Sequence, residues 1–158
     1  MGEQAQVDWG RTKVYLNGKL TEISLFCLRM KASLVPFVWA SPTEKLEAFL
    51  EGHKRAFEWL GGVPASLVYD NLKTAVTKTL KGPHRQEHTL FSSLRANYLF
   101  DSDFCNPASG NEKGSVENLV KFVRRNAMTP APHLSSIDEL NDKLLLWCEK
   151  QRKARIKE

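Results

Sequence analysis

The stretch KVYLNGKLTEISLFCLRM, residues 13–30, decides the fold class. Two runs rich in apolar and β-branched residues flank Asn17-Gly18, a dipeptide that favours the two-residue turn of a β-hairpin. The stretch QAQVDWG (residues 4–10), before the first of these runs, also has the composition of a strand, and ASLVPFVWAS (residues 32–41) is the third short, apolar run. Pro36 puts the last of these at a sheet edge or a bulge, because proline cannot donate to a ladder. We therefore predict three consecutive antiparallel strands.

A helix is predicted to follow these strands. Residues 41–44, Ser-Pro-Thr-Glu, have the pattern of a capping box with proline at the first helical position. Apolar residues then recur at helical spacing as far as Leu60, and Gly61-Gly62 end the pattern. His53 lies on this apolar stripe, so we interpret it as a packed histidine rather than a metal ligand.

The second half of the chain continues with alternating elements. Residues 64–71, PASLVYDN, predict a short strand that returns to the sheet by a parallel crossover. An exposed basic loop, a helix, a last strand and two closing helices follow, and their ranges are 77–88, 87–98, 99–104, 114–125 and 135–158. The order predicts an α/β fold with one mixed, five-stranded sheet flanked by helices. We expect residues 1–130 to form the core, and residues 131–158 to form a basic helix packed on it or extending from it.

Composition limits the possible function classes. The hydrophobic content of 42% suits a globular domain, and the mean hydropathy of −0.39 with only short apolar runs argues against a membrane span. The N-terminus lacks the pattern of a secretion signal, and three widely spaced cysteines argue against a disulfide scaffold or a cysteine zinc site, so we expect a cytoplasmic protein. Charges balance in residues 1–70, so the net charge of +5 comes from residues 71–158 and favours a polyanionic partner such as nucleic acid.

Three acids stand at positions that a folded sheet can bring together. Asp8 interrupts an apolar strand, Asp70 ends another, and Glu117 lies in the predicted first turn of the helix at residues 114–125. Each alone is more often structural, as a cap or a partner of the helix dipole. Three converging carboxylates would repel one another, and divalent cations with a preference for oxygen, such as Mg²⁺ or Mn²⁺, would relieve that repulsion.

The helix at residues 114–125, GSVENLVKFVRR, has one apolar and one basic face. Lys121, Arg124 and Arg125 fall within about 80° of Glu117 when each residue turns the helix by about 100°. A solvated Glu–Lys pair is the simplest interpretation of this face.

The stretches QAQVDWG, LVYDNLKTAV and FCNPASGNEKGSVENLVKFVRRN together resemble the catalytic core of IstA-type transposases, members of the DDE transposase and retroviral integrase superfamily. The resemblance covers nearly the whole chain and implies an RNase H-like fold. It implies that Asp8, Asp70 and Glu117 are the catalytic acids and hold two Mg²⁺ or Mn²⁺ ions. Glu112 is the competing third acid, but GSVEN matches the family's helix start. The interval between Asp70 and Glu117 is longer than in integrases, and we assign the extra length to the loop around residues 78–88.

The resemblance implies a DNA transposase domain that nicks element ends hydrolytically and transfers the 3′-hydroxyl into target DNA. Lys121, Arg124 and Arg125 would then contact DNA phosphates, and Asn71 and Asn118 would contact DNA, orient carboxylates or make local hydrogen bonds. The expected partners are double-stranded DNA, further copies of the protein and an AAA+ ATPase, at the bacterial nucleoid and without a membrane. The alternatives are an RNase H-like nuclease without strand transfer and a non-catalytic interaction domain of the same fold.

Overall fold

The computed structural model of the chain describes residues 3–69, 85–98, 100–104 and 118–156. These residues form a mixed β-sheet with helices on both faces. The strands are β1 (Gln4–Leu16), β2 (Lys19–Met30), β3 (Pro36–Ser41), β4 (Ser66–Tyr69), β5 (Asp101–Phe104) and β6 (His133–Leu134). The helices are α1 (Leu46–Leu60), α2 (Arg85–Tyr98), α3 (Leu119–Ala127) and α4 (Ile137–Ile156). The strand order β3-β2-β1-β4-β5 confirms the predicted mixed sheet, and the short β6, which the sequence did not predict, pairs with the far end of β1.

The first two strands form one long hairpin. β1 runs without a break through residues 4–16, and the register pairs Leu16 with Lys19. Asn17 and Gly18 have φ angles of 51° and 82°. Two successive positive φ angles are what a type I′ turn requires, and its twist matches that of the strands. The predicted turn is confirmed.

The outer edge of the sheet is formed by β3 and covered by α4. Pro36 is the first residue of β3 at the sheet edge, which is one of the two positions that the sequence predicts for it. The Asn141 side chain of α4 accepts a hydrogen bond from the Ala40 N–H at 2.7 Å and donates one to the Ala40 carbonyl at 2.9 Å. The unpaired N–H and C=O groups of an exposed strand edge can pair with another chain. Here the Asn141 amide forms hydrogen bonds with both backbone groups of Ala40, as a neighbouring strand would. Helix α4 thus closes the edge.

Helix α1 begins later than the sequence predicts, so the predicted capping box is wrong. Ser41 is still part of β3, and the helix starts at Leu46 with no side-chain cap at Lys45. The Thr43 N–H donates to the Ser41 hydroxyl at 3.3 Å, and the Lys45 N–H donates to the Thr43 hydroxyl at 3.3 Å. These short side chains bond two residues ahead and build turns instead of a helix. The predicted end is confirmed, with Gly61 in the left-handed region at φ 75°.

Two further boundaries differ from the prediction. Helix α2 begins at Arg85, so the last four residues of the predicted basic loop are helical, and the rest of that loop lies outside the described residues. Helix α3 begins at Leu119, because Asn118 has an extended backbone and its side chain accepts a hydrogen bond from the Lys121 N–H at 3.2 Å. Glu117 was expected in the first helical turn, but the described helix begins after it, and Glu117 itself lies outside the described residues.

The central strands are joined by the predicted parallel crossover. β4 lies parallel to β1, with Gln4 opposite Ser66 and Val7 opposite Tyr69. β5 in turn lies parallel to β4. Helix α1 makes the crossover connection, and its Phe49 packs against Trp9 of β1 and Tyr69 of β4. The long β1, whose residues 7–9 are buried, is thereby placed between the hairpin partner and the parallel strands.

Helix α4 shares the core with the sheet. Leu140, Leu144 and Cys148 are buried against it, and α4 packs chiefly on β3. Whether residue 130 divides the chain into a core and an appended helix stays a prediction. Among the described helices, including the 20-residue α4, none has an apolar stretch that would cross a bilayer.

His53 lies in the aromatic core beneath the end of β4, as the packed interpretation predicts. Its side chain is fully buried among rings that include Phe26, Phe49 and Tyr69. Nδ1 lies 2.7 Å from the Phe49 carbonyl, which can only accept, so Nδ1 carries the proton. Nε2 then accepts from the Tyr69 hydroxyl at 2.6 Å. Burial lowers the pKa of His53 to about 4, so the imidazole is neutral at pH 7.

On the opposite face of the sheet, α3 lies very close to β1. A Cβ atom on Gly10 would lie 2.9 Å from Val120 Cγ2 and closer still to Cγ1. Real Cβ atoms do not tolerate such a contact, so only glycine allows α3 to lie this near to the strand. Leu119, Val120 and Val123 are buried there, which confirms the apolar stripe predicted for this helix.

We predict that stability falls by about 2 kcal/mol between pH 7 and pH 5 because of His53. The imidazole has a pKa near 6.5 in the unfolded chain and of about 4 in the folded one. Between pH 7 and pH 5 the unfolded state therefore binds more protons, so acidification stabilises it relative to the folded state. Urea unfolding followed by circular dichroism would measure the change. His53→Gln should flatten the pH dependence, whereas His133→Gln, at an exposed position, should retain it. Equal pH dependence in wild type and His53→Gln would contradict the assignment.

We also predict that Gly10→Ala destabilises the chain by about 1–3 kcal/mol, because the added methyl group overpacks the contact with Val120. Val120→Ala removes the two methyl groups that the new Cβ atom would strike. The double variant should therefore be more stable than the sum of the two single effects predicts, when measured by urea unfolding. Strictly additive effects would show that α3 does not press on β1 at this point.

Candidate active site

Asp8 is a buried acid in the middle of the sheet. It lies on the central strand β1, and only 4% of its surface is exposed. Its antiparallel neighbour on β2 is Cys27. Asp8 and Gly10 are two residues apart on one strand, so they share a face of the sheet, and that face is the one on which α3 packs. Trp9 points to the other face, where it packs against Phe26 and Phe49.

The parallel strand β4 ends beside Asp8. Tyr69, the last residue of β4, is opposite Val7, and Val7 immediately precedes Asp8. The Tyr69 hydroxyl is bonded to His53, which holds this strand end against α1. Asp70 and Asn71 follow Tyr69 in the sequence but lie outside the described residues.

The beginning of α3 lies over the same part of β1. Val120, the second residue of α3, meets Gly10, and Gly10 is about 7 Å along the strand from Asp8. Asn118 is the N-cap of this helix and hydrogen-bonds locally, one of the roles considered for it. Glu117 and the competing Glu112 lie outside the described residues. Of the three predicted acids, the structure therefore describes Asp8 alone.

The basic residues of α3 are exposed beside this region. Lys121, Arg124 and Arg125 are all solvent-exposed, on the helix face opposite its buried apolar stripe. Arg124 Nη1 donates a hydrogen bond to the Arg11 carbonyl of β1 at 3.2 Å, which fixes the guanidinium near the strand. The positive charge of Arg124 also acts on Cys27 by favouring its thiolate. Arg124 thus lies on the side of the sheet that Asp8 and Cys27 share.

The donor chemistry around Asp8 suits a hard cation rather than a soft one. Burial raises the pKa of the Cys27 thiol well above its usual value, and the charge of Asp8 raises it further. The sulfur therefore stays protonated and is a poor metal ligand. The Asp8 carboxylate is left as an oxygen donor of the kind that Mg²⁺ and Mn²⁺ prefer. Within the described ranges no three metal-ligating side chains form a cluster.

Sequence reasoning missed the residues that position this region. Gly10 sets the distance of α3 from the sheet, Cys27 lies across from the acid, and Tyr69 ties down the end of β4. The glycine two residues after Asp8 was a usable signal, because glycine inside a strand often marks a close approach of another element. The Tyr69–His53 bond left no signal, since its partners are 16 residues apart in sequence.

The chain is similar to bacterial transposases along almost its entire length. It is 33% identical over 152 residues to a transposase of Aminobacter aminovorans, and 35% identical over 153 residues to the transposase for insertion sequences IS1326/IS1353 of Pseudomonas aeruginosa. These alignments cover 96% and 97% of the chain but 29% of each relative. The transposase for insertion sequence element IS21 of Pseudomonas aeruginosa is 29% identical over 148 residues, 91% of this chain and 37% of that protein. No family model matches the chain.

The fold is similar to that of solved retroviral integrase cores. The HTLV-2 integrase catalytic core domain in complex with magnesium (dimeric form) has a TM-score of 0.53 at 18% identity and covers 91% of this chain and 83% of that one. The trimeric form of the same domain has a TM-score of 0.52 at 15% identity, over 91% and 82%. Integrase cores have an RNase H-like fold, and this chain shares it. The chain is therefore similar to bacterial insertion-sequence transposases along nearly its whole length and has the fold of the integrase catalytic cores, as the resemblance of its three motifs predicts.

Proposed function

We propose that this chain is the catalytic domain of a DNA transposase, a DDE-type polynucleotidyl transferase whose acids are Asp8, Asp70 and Glu117. The observation that carries the proposal is the placement of Asp8. This buried carboxylate lies on the central strand, beside the end of β4 and on the face where α3 begins. In the sequence, Asp70 directly follows Tyr69, the last residue of β4, and Glu117 directly precedes Asn118, the N-cap of α3.

The connectivity supports a convergence of the three acids. Asp70 follows Tyr69, so its Cα lies about 3.8 Å from the Tyr69 Cα. Tyr69 is the neighbour of Val7 across the β1–β4 ladder, one residue before Asp8. Glu117 immediately precedes Asn118, the N-cap of α3, in the sequence.

We propose that the three carboxylates hold two Mg²⁺ or Mn²⁺ ions. Bound ions of this kind lower the pKa of a water molecule and stabilise the charge that develops in phosphoryl transfer. The chain's own part is to hold Asp8 rigidly in the sheet, where its burial limits rotation and access of bulk water. The proposed reactions are hydrolytic nicking at an element end and attack of the freed 3′-hydroxyl on target DNA. Neither reaction requires a covalent bond between protein and DNA.

We further propose that the exposed basic residues of α3 bind the DNA backbone. Lys121, Arg124 and Arg125 provide charges that neutralise phosphates, and such contacts position a duplex without reading its sequence. Arg124 is anchored to β1 by its bond to the Arg11 carbonyl, which holds its charge at the edge of the candidate site. Asn118 and Asn71 stay proposed contacts of the same surface. Further copies of the protein and an AAA+ ATPase are the proposed protein partners.

We predict that Asp8→Asn, Asp70→Asn and Glu117→Gln each reduce DNA nicking and joining by on the order of 10³-fold, because each removes a carboxylate that holds the ions. Joining of a 3′-hydroxyl oligonucleotide to plasmid DNA with Mn²⁺ would measure the loss. Mn²⁺ binding followed by electron paramagnetic resonance should weaken in parallel. Glu112→Gln is the matched control and should retain both. Near-normal activity in any of the three variants would remove that residue from the site.

We predict that Lys121→Glu with Arg125→Glu weakens DNA binding at every sequence and lowers the slope of log affinity against log salt by about 2, since two phosphate contacts are lost. Fluorescence anisotropy with a labelled duplex at several salt concentrations would measure this slope. Lys54→Glu, an exposed lysine on α1, reverses charge on the other face of the sheet and should leave it unchanged. An unchanged slope in the double variant would favour a merely solvated helix face.

A further inference from the structure

A groove lies at the outer edge of β3, between α1 and α4. Its volume is about 660 Å³, and a recess of about 410 Å³ adjoins it, with Trp59, Asp142 and Leu145 lining both. Its apolar lining includes Phe37 of β3, Trp59 of α1 and Leu145 of α4. Leu145 and Leu146 are 40% and 66% exposed, so large apolar side chains face solvent here. A concave surface of this size with exposed apolar side chains is typical of a binding site.

The groove is acidic, although the chain as a whole has a net charge of +5. Glu58, Asp138 and Asp142 line it, and Arg55 is the one cation among its described lining residues. Arg55 is paired with Glu51 at 2.9 Å, whereas the three acids have no ion-pair partner in the described part of the chain. Carboxylates gathered in a concave surface create a negative potential that attracts cations.

The acids come from both helices that border the groove. Glu58 lies in the last turn of α1, where the helix dipole disfavours a carboxylate and no basic residue accompanies it. Its position is therefore unfavourable for α1 itself. On α4 the lining residues form one stripe at the spacing i, i+4, i+7 and i+11, and they are Asp138, Asp142, Leu145 and Glu149. The groove thus has an apolar floor with carboxylates on either side.

The chain's own arginines show what such walls bind. Arg152 lies over the Trp59 ring, 4.0 Å from its centroid, donates to the Trp59 carbonyl at 3.0 Å and pairs with Glu149. Arg55 lies over the Trp39 ring at 5.3 Å. An indole face with a neighbouring carboxylate holds a guanidinium group by both its charge and its flat surface.

We propose that this groove docks a peptide segment of another protein, in which Lys or Arg side chains flank a large apolar residue. The apolar residue would pack on Phe37, Trp59 and Leu145, and the flanking cations would meet Glu58 on one side and Asp142 on the other. Nucleic acid is a poor occupant, because the same carboxylates repel phosphates. The groove therefore attracts a different partner from the one that the basic residues of α3 attract.

The docked segment is recognised by its side chains rather than by extension of the sheet. A peptide can add a strand to an exposed edge only where backbone groups are available. The Asn141 side chain already bonds both backbone groups of Ala40, so β3 is closed to a further strand at that point. Affinity then depends on the apolar floor and the carboxylates.

The test begins with selection of random dodecapeptides displayed on phage against the immobilised chain. Double-stranded DNA is present in excess, so that the basic residues of α3 do not retain acidic peptides. Enriched peptides should carry Lys or Arg beside Leu, Phe or Trp. Their fluorescein-labelled forms, followed by fluorescence anisotropy, should bind more weakly as salt rises, because salt screens exposed charges.

Asp138→Lys and Asp142→Lys each place a cation where a cation of the peptide should lie. Both positions are exposed, so the core is unchanged. The dissociation constant of the selected peptide should rise by roughly tenfold or more. Asp142→Glu keeps the charge and should bind nearly as well as wild type. Glu47→Lys is the matched control, since it makes the same charge change at an exposed position of α1 that does not line the groove.

Circular dichroism would establish that each variant is folded. Selection that enriches no peptide, or peptides without basic residues, would overturn the proposal. An affinity that Asp138→Lys and Asp142→Lys leave unchanged, or that Glu47→Lys lowers equally, would also overturn it. Sedimentation equilibrium of the wild-type chain supplies a further check. Dimers that the same two groove variants dissociate would assign the groove to a second copy instead of a basic peptide.

Discussion

The contact between Gly10 and Val120 is the constraint on which the candidate site depends. Because Gly10 has no side chain, the start of α3 lies directly against the central strand instead of a side chain's width away. The strand residue two positions earlier is the buried Asp8, and the helix residue two positions earlier is the N-cap Asn118. One close approach thus brings the basic helix and the acid-bearing strand to the same place.

The opposite face of the sheet supports the site from beneath. A cluster of aromatic rings surrounds His53, and the hydrogen bond from Tyr69 fixes the end of β4 against α1. This bond joins buried groups, so its loss would leave a polar atom unsatisfied in an apolar core. The result is a stiff strand end next to Asp8, which a chain needs if it is to hold several like charges together.

Much of the fold could be predicted because its signals are local. Asn17-Gly18 predicted a hairpin turn, Pro36 predicted an edge position or a bulge, and Gly61 with Gly62 predicted the end of α1; the structure has the turn, the edge position and the helix end. The predictions that failed concern polar residues at helix starts. At Ser41 and Thr43 the hydroxyls bonded to nearby backbone and delayed α1, and Asn118 capped α3 after the position expected for its first turn. A capping pattern in the sequence identifies side chains that can accept a hydrogen bond, but it does not determine which backbone N–H will donate to them.

The sequence by itself determined the order of the helices and of the five longer strands, the apolar stripe of α3 and the three motifs that resemble transposase cores, because periodicity, turn chemistry and residue identity are properties of short segments. Only the tertiary structure decided which segments meet. The parallel register put Tyr69 beside Val7, and the packing of α4 on β3 left Leu146 facing solvent. Such contacts join residues far apart in sequence, and they form through shape and burial that no local pattern encodes.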